Sequence, residues 1–336
     1  MPKFKIRPLA EQEFIIWDAF VNKSSCSALF YKMPWLKASG WNFTIYGYFK
    51  GGELYAGIPI SWFKQWGFKV ALQPVLTPYL EITFKEQDAK YEQRLSKEKE
   101  AIWLLAQRLK HDFDYIYFHV PPGPVDLQPF IWEGFSISVK YTFIIDLNKN
   151  LAEIWNDLNH TKRNEILKSQ QMGIKIILSD DFEQTFKIIE KTFSRQGIKL
   201  SNKAVADNYN KVATEAGQGK SFHAIDKYGN TLAVEYLVWD NKISYGLLGG
   251  RDSESSCRGA KALAIWEGIK FSKGIGLQQF DFHGSMIPQI EQFVRKFGGK
   301  QTPYFTIIWC KPYLKIPVWI RNKAKATFTH SAFFNY

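Results

Sequence analysis

Cysteine is scarce in this chain. Cys26, Cys257 and Cys310 lie far apart and are odd in number, which excludes a disulfide framework and the paired ligand spacing of a zinc site; no bound metal is expected. No run approaches the ~20 apolar residues of a membrane-spanning helix. The opening MPKFKIRPLAEQEF lacks the apolar stretch of a secretory signal. A reducing cytoplasm is the expected setting. There is no helix-turn-helix, zinc-finger or RNA-binding signature, so DNA is not expected as a partner. Negative charge is also short, with 32 acidic against 44 basic residues, a net charge of +12 and an isoelectric point near 9.3. Such a field draws anionic partners: nucleic acid, phosphorylated substrates or anionic lipid.

Apolar residues are plentiful, at 46% with 16% aromatic, so full-sized cores are within reach. The 336 residues suffice for two ordinary domains. The chain is organised around Leu277 to Ile308, which reads strand, loop, helix, glycine stop, strand. Phe280 and Phe282 alternate with Asp281 and His283 at strand period. Gly284-Ser285 break the pattern, Pro288 opens a helix, and Gly298-Gly299 end it. Tyr115 to Ile145 repeats the theme: Phe118-His119 matches Phe282-His283, Phe130 matches Phe293, Gly134 matches Gly298, and YTFII matches YFTII. Upstream, Phe43 to Ile60 matches Phe222 to Val238 as a glycine-turned strand pair. The same order twice, offset by roughly 160 residues, reads as an internal duplication.

The first copy is expected to hold a strand at Lys3 to Pro8 and helices at Glu11 to Val21 and Ala28 to Ala38. The strand pair Phe43 to Phe63 follows. Leu72 to Ile82 carries two prolines and reads as a loop over the domain, with Thr77 and Tyr79 as candidate contacts or as packed turn residues. A charged helix spans Lys85 to His111. The strands Tyr115 to Val120 and Ile137 to Asp146 flank the rigid Pro121 to Pro124. In the second copy Asn148 is a candidate cap for a helix at Leu151 to Leu158. A second helix starts at His160 or Thr161 and ends at Gly173. Its Lys162, Arg163 and Asn164 suit either a phosphate grip or a solvated face. Ile174 to Leu178 is a strand. A capping box at Asp180 to Glu183 opens a helix to Ser194, and Ser201 caps another. Strands at Ser221 to Asp226, Thr231 to Trp239 and Lys242 to Leu248 precede a polar loop from Gly249 to Gly259. A helix at Ala260 to Ser272 leads into the central stretch.

That order is similar to the GNAT acyltransferase fold, a mixed α/β class. Three stretches resemble the Fem family within it, the aminoacyl-tRNA-dependent peptidyltransferases of peptidoglycan interpeptide bridges. They are Lys162-Arg163-Asn164-Glu165-Ile166 followed by Gly173, Trp266 to Gly274 leading into Phe280 to Ser285, and Phe293 to Gly299. The resemblance implies two tandem GNAT-like domains: a degenerate copy over residues 1–147, a second over 148–312, and a basic aromatic tail over 313–336. It implies an acyl- or aminoacyltransferase that forms an amide on an amine acceptor, a small molecule or a lipid-linked envelope precursor. The donor would be aminoacyl-tRNA or acyl-CoA, with no tightly bound cofactor. The helical arm of active Fem enzymes does not fit between Leu178 and Phe222. The acyl-CoA loop of other GNAT enzymes would fall at Ser255 to Ala262, where Gly259 is the one glycine.

In this fold two central strands part and the donor lies in the gap. Backbone from Gly246 to Leu248 would offer N–H groups to the reacting carbonyl. Glu235, alone among apolar neighbours, is the first candidate base. Asp281 and His283 are its rivals, Asp281 also fitting a loop acceptor and His283 a packing role. Arg251, Arg258, Gly259 and Lys261, at the opening of a helix, are candidates for donor phosphate, with Ser285 beside them. Thr77, Tyr79, Lys162, Arg163, Asn164 and Tyr304 are the acceptor candidates. The tail interleaves aromatics with Lys315, Arg321, Lys323 and Lys325, which suits an anionic inner leaflet or a solvated tail. The other reading is a non-catalytic binding protein that keeps the fold and grips an anion.

Overall fold

The computed structural model describes residues 5–24, 29–86, 88–123, 126–195, 203–252, 254–255, 257–284 and 286–314. The tail beyond Leu314, and with it Lys315, Arg321, Lys323 and Lys325, lies outside them, as do Cys26, Ser201 and Ser285. Two compact units divide the chain. One takes Met1–Lys140 and resumes at Pro303; the other takes Tyr141–Thr302. The fold is α/β with mixed sheets.

The first unit opens with strand β1 (Lys5–Pro8), helices α1 (Phe14–Lys23) and α2 (Met33–Ala38), then β2 (Asn42–Lys50), β3 (Glu53–Gln65), β4 (Phe68–Leu72) and the short β5 (Thr83–Phe84). Helix α3 (Tyr91–Asp112), β6 (Tyr115–Val120), α4 (Gln128–Trp132) and the start of β7 (Ser136–Asp146), whose residues from Tyr141 on belong to the second unit, follow. The second unit continues with α5 (Leu151–Asp157), α6 (His160–Gln171), β8 (Lys175–Ser179), α7 (Phe182–Ser194), α8 (Lys203–Glu215), β9 (Gly219–Ile225), β10 (Thr231–Trp239) and β11 (Ile243–Arg251). It closes with α9 (Ala260–Gly274), β12 (Gln279–Asp281) and α10 (Pro288–Arg295), and β13 (Lys300–Cys310) follows, with a 3-10 turn at Pro312–Leu314.

Strand order shows the duplication. In the first unit it runs β1-β2-β3-β4-β6-β13, with β5 against β3. In the second it runs β8-β9-β10-β11-β12-β7. Each sheet is antiparallel up to one parallel pair, β4 with β6 or β11 with β12. Each parallel pair is bridged by a long helix, α3 or α9, as a parallel crossover requires. The second core centres on α9, whose alanines and Leu263, Ile265 and Ile269 are buried among Phe222, Leu237 and Phe280.

Several local expectations need correction. The sequence pattern ends the third strand at Leu248, but β11 runs on through Gly249-Gly250-Arg251. The glycines are there for space: a Cβ on Gly250 would come within 2.8 Å of the Ile188 carbonyl oxygen on α7. β12 stops at Asp281, ahead of the expected His283, because His283 (φ 55°) and Gly284 (φ 55°) turn left-handed. The α5 cap is Asn150, in a capping box with Glu153, and not Asn148, which bonds back to Asp146. Helix α3 begins at Tyr91, six residues later than expected. At Gly298 (φ 80°), a Cβ would meet the Asp157 backbone, with its carbonyl carbon 2.6 Å away. Gly298→Ala therefore combines backbone strain with a clash, and urea unfolding should show a loss of about 1–3 kcal/mol; a loss near zero would show that the turn relaxes freely.

Candidate functional site

β11 and β12 pair for only three residues, Ile243–Tyr245 against Gln279–Asp281. Past that point, among the described residues, no strand pairs with the β12-side edge of β11. Two features drive the strands apart. Leu247 is an extra residue in β11, a bulge between the partners of Tyr236 and Leu237 on β10. β12 for its part ends in the left-handed turn at His283. The backbone of Gly246, Leu247 and Leu248 thus lines a gap in the second unit, as expected for this fold.

Glu235 lies at the base of that gap, on β10 opposite Gly249. It is buried, 5% exposed, and its carboxylate is not alone. Lys261, in the first turn of α9, turns inward, pairs with Glu235 and donates to the Val234 carbonyl at 2.8 Å. Burial pushes the Glu235 carboxyl up, and Lys261 partly offsets this. The pair fits because β11 offers no side chains there. A Cβ on Gly246 would sit 2.8 Å from Glu235 Oε1, and one on Gly249 would strike both partners. The glycines of β11 therefore serve the ion pair.

Asp281 is also buried, 1% exposed. Its Oδ1 accepts from the Thr142 hydroxyl and from the His283 N–H, the latter at 2.7 Å. This carboxylate sets the turn that ends β12. His283 is buried within that turn. Helix α9 begins after Gly259, which has no side chain to cap its first N–H groups. Gly259 packs on α6, where a Cβ would collide with the Glu165 carbonyl and Ser169. Arg258 is exposed and Arg251 half-buried; among the described residues neither forms an ion pair. The Arg251 backbone is fixed by Thr192 Oγ1 at 2.9 Å and by Arg195 at 2.8 Å. Gly246, Leu248, Arg251, Gly259, Lys261 and Glu235 are thus neighbours on β10, β11 and the start of α9, with Lys261 committed to Glu235.

The acceptor candidates fall into two sets. On α6, Lys162 is 4% exposed, pairs with Glu165 and lies 4.0 Å from the Phe293 ring centroid. Burial lowers its pKa against the pull of Glu165. Arg163 donates to the Asn156 carbonyl at 2.8 Å, and Asn164 lies 3.2 Å from His160. Neither a phosphate grip nor a solvated face describes Lys162: it ties α6 to α10. In the first unit, Thr77 is buried and accepts from Trp35 Nε1 at 3.0 Å. Tyr79 and Tyr304, both buried, meet edge-on at 5.4 Å. A cavity of about 1090 Å³ elsewhere in this unit is walled by α3, β6 and α4, with Asp126 and Glu98 facing Lys99 and Arg94.

The corresponding gap of the first unit is filled by its own chain. β4 pairs with β6 as far as Leu72 and Tyr117. Beyond, the His119 N–H donates to Gln73 Oε1 at 2.6 Å, and Leu80 N donates to the His119 carbonyl at 2.7 Å. The proline-rich loop plugs the space that stays open beside β11.

Residues 160–292 match the family model of the acetyltransferase (GNAT) domain. The chain is built of two GNAT-like domains. Among solved structures it is similar to FemX, with a TM-score of 0.68 and 14% identity over 93% of this chain and 99% of that one. It is also similar to L-PGS from Bacillus licheniformis, with a TM-score of 0.59 and 11% identity over 94% of this chain and 97% of that one. A tandem GNAT protein from the clavulanic acid biosynthesis pathway, solved without AcCoA, gives 0.55 and 11%, covering 92% and 99%. No curated protein matches the chain. The fold is of the FemX type, and the GNAT domain match lies in the second unit. Among the described residues, no helix is long and apolar enough to cross a membrane.

The sequence pointed to Glu235 but not to its partner. The missed signal was the glycine spacing on β11, which leaves room for two charged groups. Lys261→Met should cost about 3–5 kcal/mol in chemical unfolding by stranding the buried carboxylate, and the double variant Lys261→Met/Glu235→Leu should recover most of it. A single-variant loss below about 1 kcal/mol would mean that the pair behaves as a solvent-screened contact.

Proposed function

We propose that the protein is an N-acyltransferase that uses its second GNAT-like domain to form an amide on an amine acceptor. The observation that carries this reading is the parted β11–β12 pair beside the uncapped start of α9. The donor's acyl group would lie in the gap, with its carbonyl oxygen toward the N–H groups from Gly246 to Leu248. Its phosphates would meet the first turn of α9 and the Arg251 and Arg258 guanidinium groups. The amine nitrogen attacks the carbonyl carbon and a C–N bond forms. The bond to the donor's thiol sulfur or ribose oxygen breaks, and that leaving group takes up a proton. The proton lost by the amine passes through water to Glu235, whose burial favours accepting it. Asp281 and His283 hold the far wall of the gap.

Acyl-CoA and aminoacyl-tRNA are the two donor classes. The tandem GNAT protein above, described with respect to AcCoA, supports the first, and FemX, through the resemblance of the motifs, supports the second. The same resemblance makes an envelope precursor, free or lipid-linked, the first acceptor to try, and a cytoplasmic site of action follows from it. A second reading, a binding protein without turnover, is favoured by one observation: Lys261 is withdrawn from the donor phosphates into the ion pair.

Two measurements test this. Acetyl-CoA and charged tRNA are titrated onto the protein at low and near-physiological salt. Salt-resistant binding of the coenzyme, or discrimination of charged from uncharged tRNA, supports transfer and names the donor; binding that vanishes with salt for every polyanion favours the second reading. With the donor known, Glu235→Gln should lower kcat by about 10²–10⁴-fold with donor affinity held, and unchanged turnover would remove Glu235 from the reaction.

A further inference from the structure

Lys140 has no place in the transfer chemistry, yet its surroundings are ordered. It lies on β7 within the first unit and is half-buried. Its ammonium donates to the Tyr117 hydroxyl at 3.0 Å and lies 3.5 Å from His119 Nε2. Tyr117 and His119 share one face of β6, two residues apart, with ring centroids 5.2 Å from each other. The opposite nitrogen of His119, Nδ1, is held 2.9 Å from the hydroxyl of Thr306, its partner on β13. Tyr304, two residues away on β13, stands edge-on to His119 at 5.5 Å.

Several other half-buried lysines have a carboxylate partner. Lys99 pairs with Asp126 at 2.6 Å, Lys110 with Glu133 at 2.9 Å and Lys311 with Asp114 at 2.6 Å. Among the described residues no carboxylate pairs with Lys140. Burial therefore acts on it without opposition and lowers its pKa to about 8. A partly desolvated ammonium that meets a hydroxyl and an imidazole but, among the described residues, no carboxylate carries an uncompensated cost. A ligand that brings negative charge removes it.

We infer that Lys140 Nζ, the Tyr117 hydroxyl and His119 Nε2 form a site in the first unit for a small oxyanion, a carboxylate or a phosphate group. Because Tyr117 accepts from Lys140, its own O–H proton is left to donate to the ligand. When Thr306 donates to Nδ1, His119 carries its proton on Nε2 and becomes the third donor. The site stands on the first unit alone. That the anion is a group carried by the acceptor is a further step, and it rests on the transfer reading.

The test uses the full chain and neither an acyl donor nor an amine, so its failure is distinct from failure of transfer. Acetate and inorganic phosphate are titrated separately by calorimetry at constant ionic strength. Saturable binding of at least one is expected, weakened about tenfold or more in Lys140→Met and unchanged in the control Lys311→Met. Acetate alone would name a carboxylate, phosphate alone a phosphate group, and both a general oxyanion site. Lys140→Met should melt no lower than wild type, because it removes a charge without a counter-ion. If that variant fails to fold, Tyr117→Phe decides in its place by a several-fold weakening. Absence of binding of either probe to wild type, or equal binding by the folded variants, would overturn the site.

Discussion

The short pairing of β11 with β12 is the constraint on which the second unit depends. Parallel strands cannot separate gradually, since each backbone group must keep a partner or reach solvent. Here the separation is enforced from both sides. The bulge at Leu247 shifts β11 out of register with β10. Asp281, by accepting the His283 N–H, bends the end of β12 into a left-handed turn. A gap held open by two independent devices is preorganised, and under the proposed transfer its backbone donors would need no rearrangement to meet a carbonyl oxygen.

The buried pair of Glu235 and Lys261 links this gap to α9. Lys261 also bonds to the Val234 carbonyl, so helix and sheet are clamped where the helix begins. A buried ion pair is a weak source of stability, since desolvation offsets much of its attraction. Its value here is positional. It fixes the start of α9 against β10, the neighbour of the strand whose edge is exposed, and it explains why β11 carries Gly246 and Gly249 where a sheet would otherwise favour branched side chains.

The first unit repeats the topology and abandons the gap. Gln73 and Leu80 take up the backbone groups of His119 that a parted strand would leave open. On the same strand, Tyr117 and His119 turn toward Lys140. One fold thus supports two different polar environments, set by what the loop after the fourth strand does.

The duplication, the α/β class and most element positions were legible in the sequence. They depend on local periodicity, on glycine and proline stops and on alternation in strands, and each is written within a few consecutive residues. Glu235 could be singled out because it interrupts an apolar strand, and Asp281 because it precedes a glycine turn. What no local pattern carries is which charges meet. Lys162 reads as part of a basic helix face, but packing of α6 on α10 buries it against Phe293. Lys261 reads as a phosphate ligand, but the two glycines of β11 leave room for it to turn inward. Lys140 carries no signal in the sequence; it stands out because β6 and β7 bring a tyrosine and a histidine to its ammonium and, among the described residues, no carboxylate pairs with it. The sequence by itself determined the elements and their order, because these follow from short-range sterics and hydrophobic spacing. The tertiary structure alone decided the partners of the charged groups, because the free energy of a buried charge depends on neighbours that can lie more than a hundred residues away in the chain.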